Sequence, residues 1–304
     1  MVSPVLSVLP SAIALQTLPI DRSETTDDNS FIKGCLARVS LDHFLKLDKY
    51  LSDIVGVNPL LKYTPEERSF FYQDLEDALQ GTFEKASKGK GFLMTAGGPA
   101  AGKSTLLESL MDPSYAYVDP DRAGLLKYMK RTYSASTLSP TDAYNYWREA
   151  SICIGDLMLA IGLSEGYNIA YGTTMTTPFA KPVLSNISTV YGRSIAMLHV
   201  TSPNDIRMAT EAKRRENGIV QCTDQDLINK GNDLYHRLDD FLRTAAQISF
   251  YYRDAVDGVP VLAATWEKRK MTVLNSSAVE EIIKQHDQRK GDGYFSAVLG
   301  TYTQ

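Results

Sequence analysis

The sequence predicts an α/β fold: a parallel sheet covered by helices on both faces, preceded by an N-terminal helical extension. Three observations point there. From Gly91 onward, short apolar runs alternate with longer amphipathic stretches, the pattern of strands joined by crossover helices. One of those runs, 92–96, enters a glycine-rich turn and then an amphipathic segment, giving a strand–loop–helix unit. Ahead of Gly91 the periodicity is helical only, with apolar residues at steps of three and four.

Composition fits that class. With 304 residues the chain can bury a full core, and 43% hydrophobic with 22% charged residues is ordinary for a globular protein. A formal net charge of −4 gives no electrostatic case for nucleic acid or an anionic membrane surface as partner. The three cysteines (Cys35, Cys153, Cys222) are far apart and odd in number, and the four histidines are scattered. That usage argues against a disulfide framework or a zinc site and for a reducing, intracellular setting. The expected location is a cytoplasm, that of the producing cell or of a target cell into which the protein is delivered.

Along the chain, residues 1–20 are apolar but lack a basic start, and Pro4, Pro10 and Pro19 interrupt them. A flexible tail over 1–30, ending in the polar linker 21–30, is expected rather than a signal peptide or membrane anchor. The helical extension covers 31–90. Ser40 can cap a helix whose face is Phe44, Leu47, Leu51 and Ile54. Thr64-Pro65-Glu66-Glu67 reads as a second helix start, with Phe71, Leu75, Ala78 and Leu79 on the buried side. The main domain, 91–290, has strands at 92–96, 115–118, 168–171, 195–200 and 259–264. Its helices are at 103–111, 121–133, 143–165, 178–191, 204–216 and 224–247. A C-terminal tail takes up 291–304.

The chemistry starts at Gly97-Gly98-Pro99-Ala100-Ala101-Gly102-Lys103-Ser104, followed by Thr105, which fits the phosphate-loop pattern GxxxxGK[ST]. Glycines at both ends permit torsions closed to other residues and let the main chain approach phosphates. Successive N–H groups and the helix N-terminus then meet the anionic oxygens. Lys103 supplies a point charge at the β- and γ-phosphates, and the Ser104 hydroxyl is the expected magnesium ligand. The pattern predicts a P-loop domain that binds ATP or GTP with Mg2+.

The next strand ends in Asp119-Pro120-Asp121. In a parallel sheet, carboxyl ends of strands lie on the edge where ligands bind. Two carboxylates there suit phosphoryl transfer to an alcohol: one accepts the proton of the attacking hydroxyl, the other helps hold hydrated magnesium. Either can instead cap the following helix. Lys213, Arg214 and Arg215 close the helix 204–216, where they can reach a transferring phosphoryl group or simply complement the helix dipole. The helix 143–165 carries Arg148, Glu149 and Asp156, the last two sharing one face.

Taken in order, the GGPAAGKST loop, the VDPD strand end and a long helix leading into GYNIAYGTT resemble the zeta-toxin family of P-loop small-molecule kinases, from about Gly91 to Leu274. The resemblance implies a P-loop kinase-type sheet, Asp121 as catalytic base, and Arg214, with Arg215 adjacent, as the clamp on the transferred phosphate. It further implies Asp156, with Glu149 as alternative, together with Asp119 and Thr173 on the acceptor side, and Asp119 beside Ser104 at the metal. It implies phosphorylation of a small-molecule hydroxyl, such as that of the amino sugar of UDP-N-acetylglucosamine, and an antitoxin or host protein as partner. The chain departs from the pattern at three places. Tyr171 stands where the family has Glu, Met175 where an Arg follows, and Gln221 or Cys222 where a second Arg falls; Arg215 or Lys181 can supply such a charge instead. A second reading therefore stays open, a catalytically weak nucleotide-binding effector or toxin that acts by docking a protein partner.

Overall fold

A computed structural model describes residues 63–135, 138–176, 180–220, 222–291 and 293–303. The expected tail, the linker and the Ser40 helix lie outside the described residues. The strands form a seven-stranded, mostly parallel sheet in the order β2 (Ala116–Val118), β3 (Ile169–Tyr171), β1 (Gly91–Gly97), β4 (Ser194–Thr201), β5 (Gln247–Tyr252), β6 (Val261–Glu267), β7 (Lys270–Val273). The chain divides into two compact units: one built from the N-terminal part to Lys90 and from Pro113 to Ile169, the other from Gly91–Asp112 and Ala170 to the C-terminus.

Among the described residues the first helix of the first unit is α1 (Pro65–Phe83), which begins where the sequence places it. The Thr64 hydroxyl accepts from the Glu67 N–H while the Glu67 carboxylate accepts from the Thr64 N–H, so two orphan donors are satisfied reciprocally. Phe71, Leu75 and Leu79 are buried. After β2 (Ala116–Val118) the chain makes a π-helical turn, Asp121–Leu125, that runs into α3 (Leu126–Ala135). The long α4 (Pro140–Ser164) starts under a Ser139 cap with proline in its first turn. Its Trp147 is sandwiched between the rings of Tyr63 and Tyr128, each centred 4.7 Å away. Stacked aromatics of this kind bind helices by large apolar area and ring geometry together.

The second unit holds β1 (Gly91–Gly97), α2 (Lys103–Leu110), the end of β3 (Ile169–Tyr171), α5 (Ala180–Thr189) and β4 (Ser194–Thr201). Then come α6 (Asn204–Glu216), α7 (Asp224–Leu234), α8 (Leu238–Thr244), β5 (Gln247–Tyr252), β6 (Val261–Glu267) and β7 (Lys270–Val273). Helices α9 (Ser276–Lys290) and α10 (Tyr294–Thr303) complete it. Parallel register pairs Gly97 with Val200 and Thr201 with Tyr252, so β1, β4 and β5 end together along one edge. Most residues of β1 and β4 are buried, as strands covered on both faces require.

Several features depart from the sequence reading. Where a C-terminal tail is expected over 291–304, the chain forms α10, with Phe295 buried. The expected helix 224–247 is two helices, broken around Tyr235, and the aromatic run that follows is the strand β5. Its composition, QISFYY, is rich in β-favouring side chains that pack on a pleated surface. The last two strands are antiparallel, so the sheet is mixed rather than wholly parallel. The β6–β7 hairpin turns at Lys268 and Arg269, both left-handed with φ of 52° and 63°. That is the torsion pattern of a two-residue hairpin loop, here without the Asn-Gly signature that announces one.

Candidate functional site

The loop that follows β1 has torsions and a helix start that can cradle a phosphate. Gly97 donates its N–H to the Thr174 carbonyl at 3.1 Å, fixing the strand's exit. Ala100 and Gly102 are left-handed, with φ of 60° and 95°, and Gly102 leads directly into the first turn of α2. Gly98 leaves room for a neighbour: a Cβ there would stand 2.6 Å from the Arg207 guanidinium. The Lys103 ammonium folds over the loop and donates to the Gly98 carbonyl at 2.8 Å. No acidic residue lies in the first turn of α2, so its N-terminal dipole is left to act on an anion. Ser104 sits in that turn, partly exposed, with the side-chain chemistry of a magnesium ligand; Thr105 beside it is exposed.

The Gly172-Thr173 strand end is tied to the same loop. The Thr95 hydroxyl donates to the Thr173 carbonyl at 2.7 Å and accepts the Thr173 N–H at 2.9 Å. The Thr173 hydroxyl in turn accepts from the Met175 N–H at 3.3 Å. Tyr171 and Met175, which occupy the positions of the family's Glu and Arg, are both buried. Tyr171 packs its ring 6.5 Å from that of Phe92. They act as core residues, and they bring no charge to this strand end.

Two arginines that sequence reasoning did not single out lie against the loop. Arg207, in the first turn of α6, is 2% exposed. It donates to the carbonyls of Pro99 at 3.3 Å and Leu227 at 2.9 Å, and to the Asn204 side chain. Arg253, the first residue after β5, is 5% exposed. It donates to the Ala100 carbonyl at 2.5 Å, the Thr210 hydroxyl at 2.8 Å and the Val256 carbonyl at 3.3 Å. The Ala100 methyl closes a small buried cluster with Cys222 and Leu227. Burial pushes the Cys222 thiol up to about 12, so it packs as an apolar group and is no nucleophile.

Arg214 and Arg215, the clamp candidates, stand at the end of α6. Arg214 pairs with the buried Glu211 at 3.6 Å. Arg215 pairs with Asp224 at 2.7 Å and donates to the Cys222 carbonyl at 3.1 Å. Lys181, the other substitute charge, lies 3.8 Å from Asp240 on the surface of the unit.

The carboxylate cluster belongs to the first unit. Asp119 follows β2 and is buried; its two oxygens accept the Asp121 N–H and the Tyr117 hydroxyl, each at 2.9 Å. It thereby holds the N–H of the first residue of the π-helical turn, one position outside the Pro120 cap. Burial, with the neighbouring Asp121 charge, raises its carboxyl to about 6. Asp121 projects from the first position of that turn and pairs with the Arg148 guanidinium. Such π-turns are frequent where a helix start is shaped for a function.

A single face of α4 makes this arrangement possible. Ser151 donates its hydroxyl to the Pro120 carbonyl, and Gly155 leaves room for the Pro120 ring, which a Cβ would meet at 2.5 Å. The Arg148 guanidinium lies 5.7 Å from the Tyr144 ring centre. Burial works against its charge, but Asp121 and its other anionic neighbours outweigh that and hold it more firmly protonated than usual. Asp156 is buried, and its Oδ2 has no hydrogen-bond partner; burial raises its carboxyl well above the usual range, against the pull of Arg148. Glu149 is partly exposed on the same helix. Among the described residues no group of three or more acidic, His or Cys side chains is placed to hold a metal ion. No described helix is long and apolar enough to cross a membrane.

Mostly parallel strands, a phosphate loop after β1 and helices between the strands define the class as a P-loop kinase-type α/β fold. Solved structures share it. A chain of the AvrRxo1-ORF1:AvrRxo1-ORF2 complex solved with ATP is 15% identical, with a TM-score of 0.56 over 84% of this chain and 89% of that one. A chain of the same complex with sulphate ions gives 14% and 0.57, over 87% and 90%. The PezAT chromosomal toxin–antitoxin system of Streptococcus pneumoniae contributes a chain 16% identical, with a TM-score of 0.51 over 79% of this chain and 98% of that one. At these identities the likeness is one of fold, and it agrees with the zeta-toxin resemblance read from the motifs. No family model matches the sequence, and no curated protein matches it.

Proposed function

We propose that this chain is a kinase that transfers the γ-phosphate of ATP or GTP to a hydroxyl of a small molecule, a nucleotide sugar such as UDP-N-acetylglucosamine being the acceptor class the motifs favour. The observation that carries the reading is the loop from Gly97 to Thr105, with its left-handed Ala100 and Gly102, its lysine and a helix start free of acidic residues. Lys103 neutralises the β- and γ-phosphates, and the loop's N–H groups bind their oxygens. The Ser104 hydroxyl would hold magnesium, which would supply charge neutralisation of the phosphates. Asp121 orients the acceptor hydroxyl and takes its proton; Arg148, its partner, keeps the carboxylate in position. Arg214 and Arg215 are assigned to the transferred phosphoryl group, and Asp156, Glu149 and Thr173 to the acceptor side. Asp119 sets the turn from which Asp121 projects.

Incubation with γ-labelled ATP or GTP, magnesium and a metabolite extract is expected to yield a labelled acid-stable small molecule. Asp121→Asn is expected to reduce the transfer at least a hundredfold while nucleotide affinity stays within about twofold. Transfer by Asp121→Asn equal to that of the unaltered protein overturns the role of this residue. Absence of any labelled acceptor with the unaltered protein favours the second reading, a nucleotide-binding protein that acts by docking a partner. The uncharged Tyr171 and Met175 at the family's Glu and Arg positions are what keep that reading in play.

A further inference from the structure

The phosphate loop is gripped by its carbonyls as well as shaped by its glycines. Pro99 and Ala100, the two central residues of the loop, each offer the main-chain oxygen to a buried guanidinium: Pro99 to Arg207 and Ala100 to Arg253. These arginines come from different elements, the first turn of α6 and the residue following β5. Both side chains are pinned a second time, Arg207 by Leu227 and Asn204, Arg253 by Thr210 and Val256. The surrounding backbone makes room for them, since Gly98 and Gly231 would each clash with Arg207 if they carried a Cβ. Among the described residues no carboxylate lies within ion-pair distance of either guanidinium, and the Arg253 Nε is buried without a hydrogen-bond partner.

A buried guanidinium with only neutral acceptors is an expensive arrangement for a fold to maintain. Two of them against one loop need an anionic counterpart, and a peptide whose carbonyl is held from behind has its own N–H directed to the opposite side: that of Ala100 behind the Pro99 carbonyl, and that of Ala101 behind the Ala100 carbonyl, the latter resting at 3.3 Å on the Gly98 carbonyl. We infer that Arg207 and Arg253 are positioning residues of the phosphate loop: they lock its carbonyls outward so that its N–H groups converge, and they add buried positive charge that a polyphosphate balances. This rests on the nucleotide-binding reading above and extends it to residues outside the GxxxxGK[ST] pattern. The arginines reach the phosphates through the loop rather than by contact, so their effect falls on affinity for the phosphate chain, not on recognition of the base.

Three variants separate the two contributions. Arg253→Lys keeps the charge and loses the fork of donors; Arg253→Gln keeps a donor and loses the charge; Arg207→Lys applies the first test to the other arginine. Binding of MgATP, MgADP and adenosine is measured by titration calorimetry on the full chain, with Lys103→Ala as reference. The expected result is a tenfold or greater loss of MgATP affinity in Arg253→Gln, a smaller loss in the two lysine variants, and graded losses in the order ATP, ADP, adenosine. MgATP affinities within twofold of the unaltered protein for all folded variants, with Lys103→Ala still impaired, overturn the inference and leave the phosphate-loop reading intact. Failure of the unaltered protein to bind MgATP overturns both. Equal losses for ATP and adenosine assign the arginines to general packing and also overturn the inference. If Arg253→Gln does not fold, the two lysine variants decide by the same criteria.

Discussion

Acidification is expected to remove several kcal/mol from the stability of the larger unit, through two histidines that face each other in its core. His199 on β4 and His286 on α9 are fully buried, their rings stacked 5.7 Å apart. Phe241, Phe250, Tyr235 and Phe295 surround them. None of the four ring nitrogens has a hydrogen-bond partner in that environment. Burial lowers His199 to about 4, and burial together with the His199 neighbour takes His286 well below its usual value. Both native pKa values therefore lie below the unfolded value of about 6.5, so the unfolded state binds more protons on acidification. The stabilisation is fully present above about pH 6.5 and is lost as pH falls from there through about 4. His199 alone accounts for about 3 kcal/mol over that interval, at about 1.4 kcal/mol per pH unit. Urea unfolding midpoints measured between pH 7.5 and 4 check this. His199→Phe is expected to flatten the acid limb by about half, and an unchanged limb contradicts the assignment.

The second large effect concerns a glycine whose substitution would ordinarily help. Gly231 lies inside α7, where alanine is favoured over glycine by about 1 kcal/mol on helix propensity. Here an added Cβ would stand 1.9 Å from the Arg207 Nη2 and 2.7 Å from the guanidinium carbon. The guanidinium is held by Leu227, Pro99 and Asn204, so it cannot retreat without breaking those bonds. Gly231→Ala is therefore expected to destabilise the protein by about 3 kcal/mol, combining overpacking with lost hydrogen bonds to a buried charge. It is also expected to weaken MgATP binding through the loop. Equilibrium unfolding in urea reads the sign directly: a stabilised variant contradicts the described seat of Arg207.

These two effects also mark the limit of what the sequence discloses. The glycine-rich loop is legible because the GxxxxGK[ST] pattern fixes particular residues at set spacing, and the Thr64 cap because its chemistry is local. Asp119 and Asp121 stand out as a pair in the sequence, but their different settings, one buried and bonded to the Asp121 N–H, the other paired with Arg148 from α4, depend on long-range packing. Arg207 and Arg253 carry no local signature. Arg253 could have been placed only by reading QISFYY as a strand, which would have set it at the sheet edge shared by the loop. Its neighbours in sequence say nothing of Ala100, far back along the chain. The β6–β7 hairpin was hidden for a related reason, since Lys268 and Arg269 adopt torsions that glycine or asparagine would have advertised. Long-range contacts and unfavoured local conformations were the parts that had to be seen.

The central claim is that Gly97 to Thr105 binds a nucleoside triphosphate through its phosphates. Titration calorimetry of MgATP into the unaltered protein and into Lys103→Ala tests it most directly. The account predicts saturable binding at one site per chain, weakened at least thirtyfold, by about 2 kcal/mol or more, when the lysine charge is removed. Binding of equal strength to both proteins, or none to the unaltered one, would contradict it.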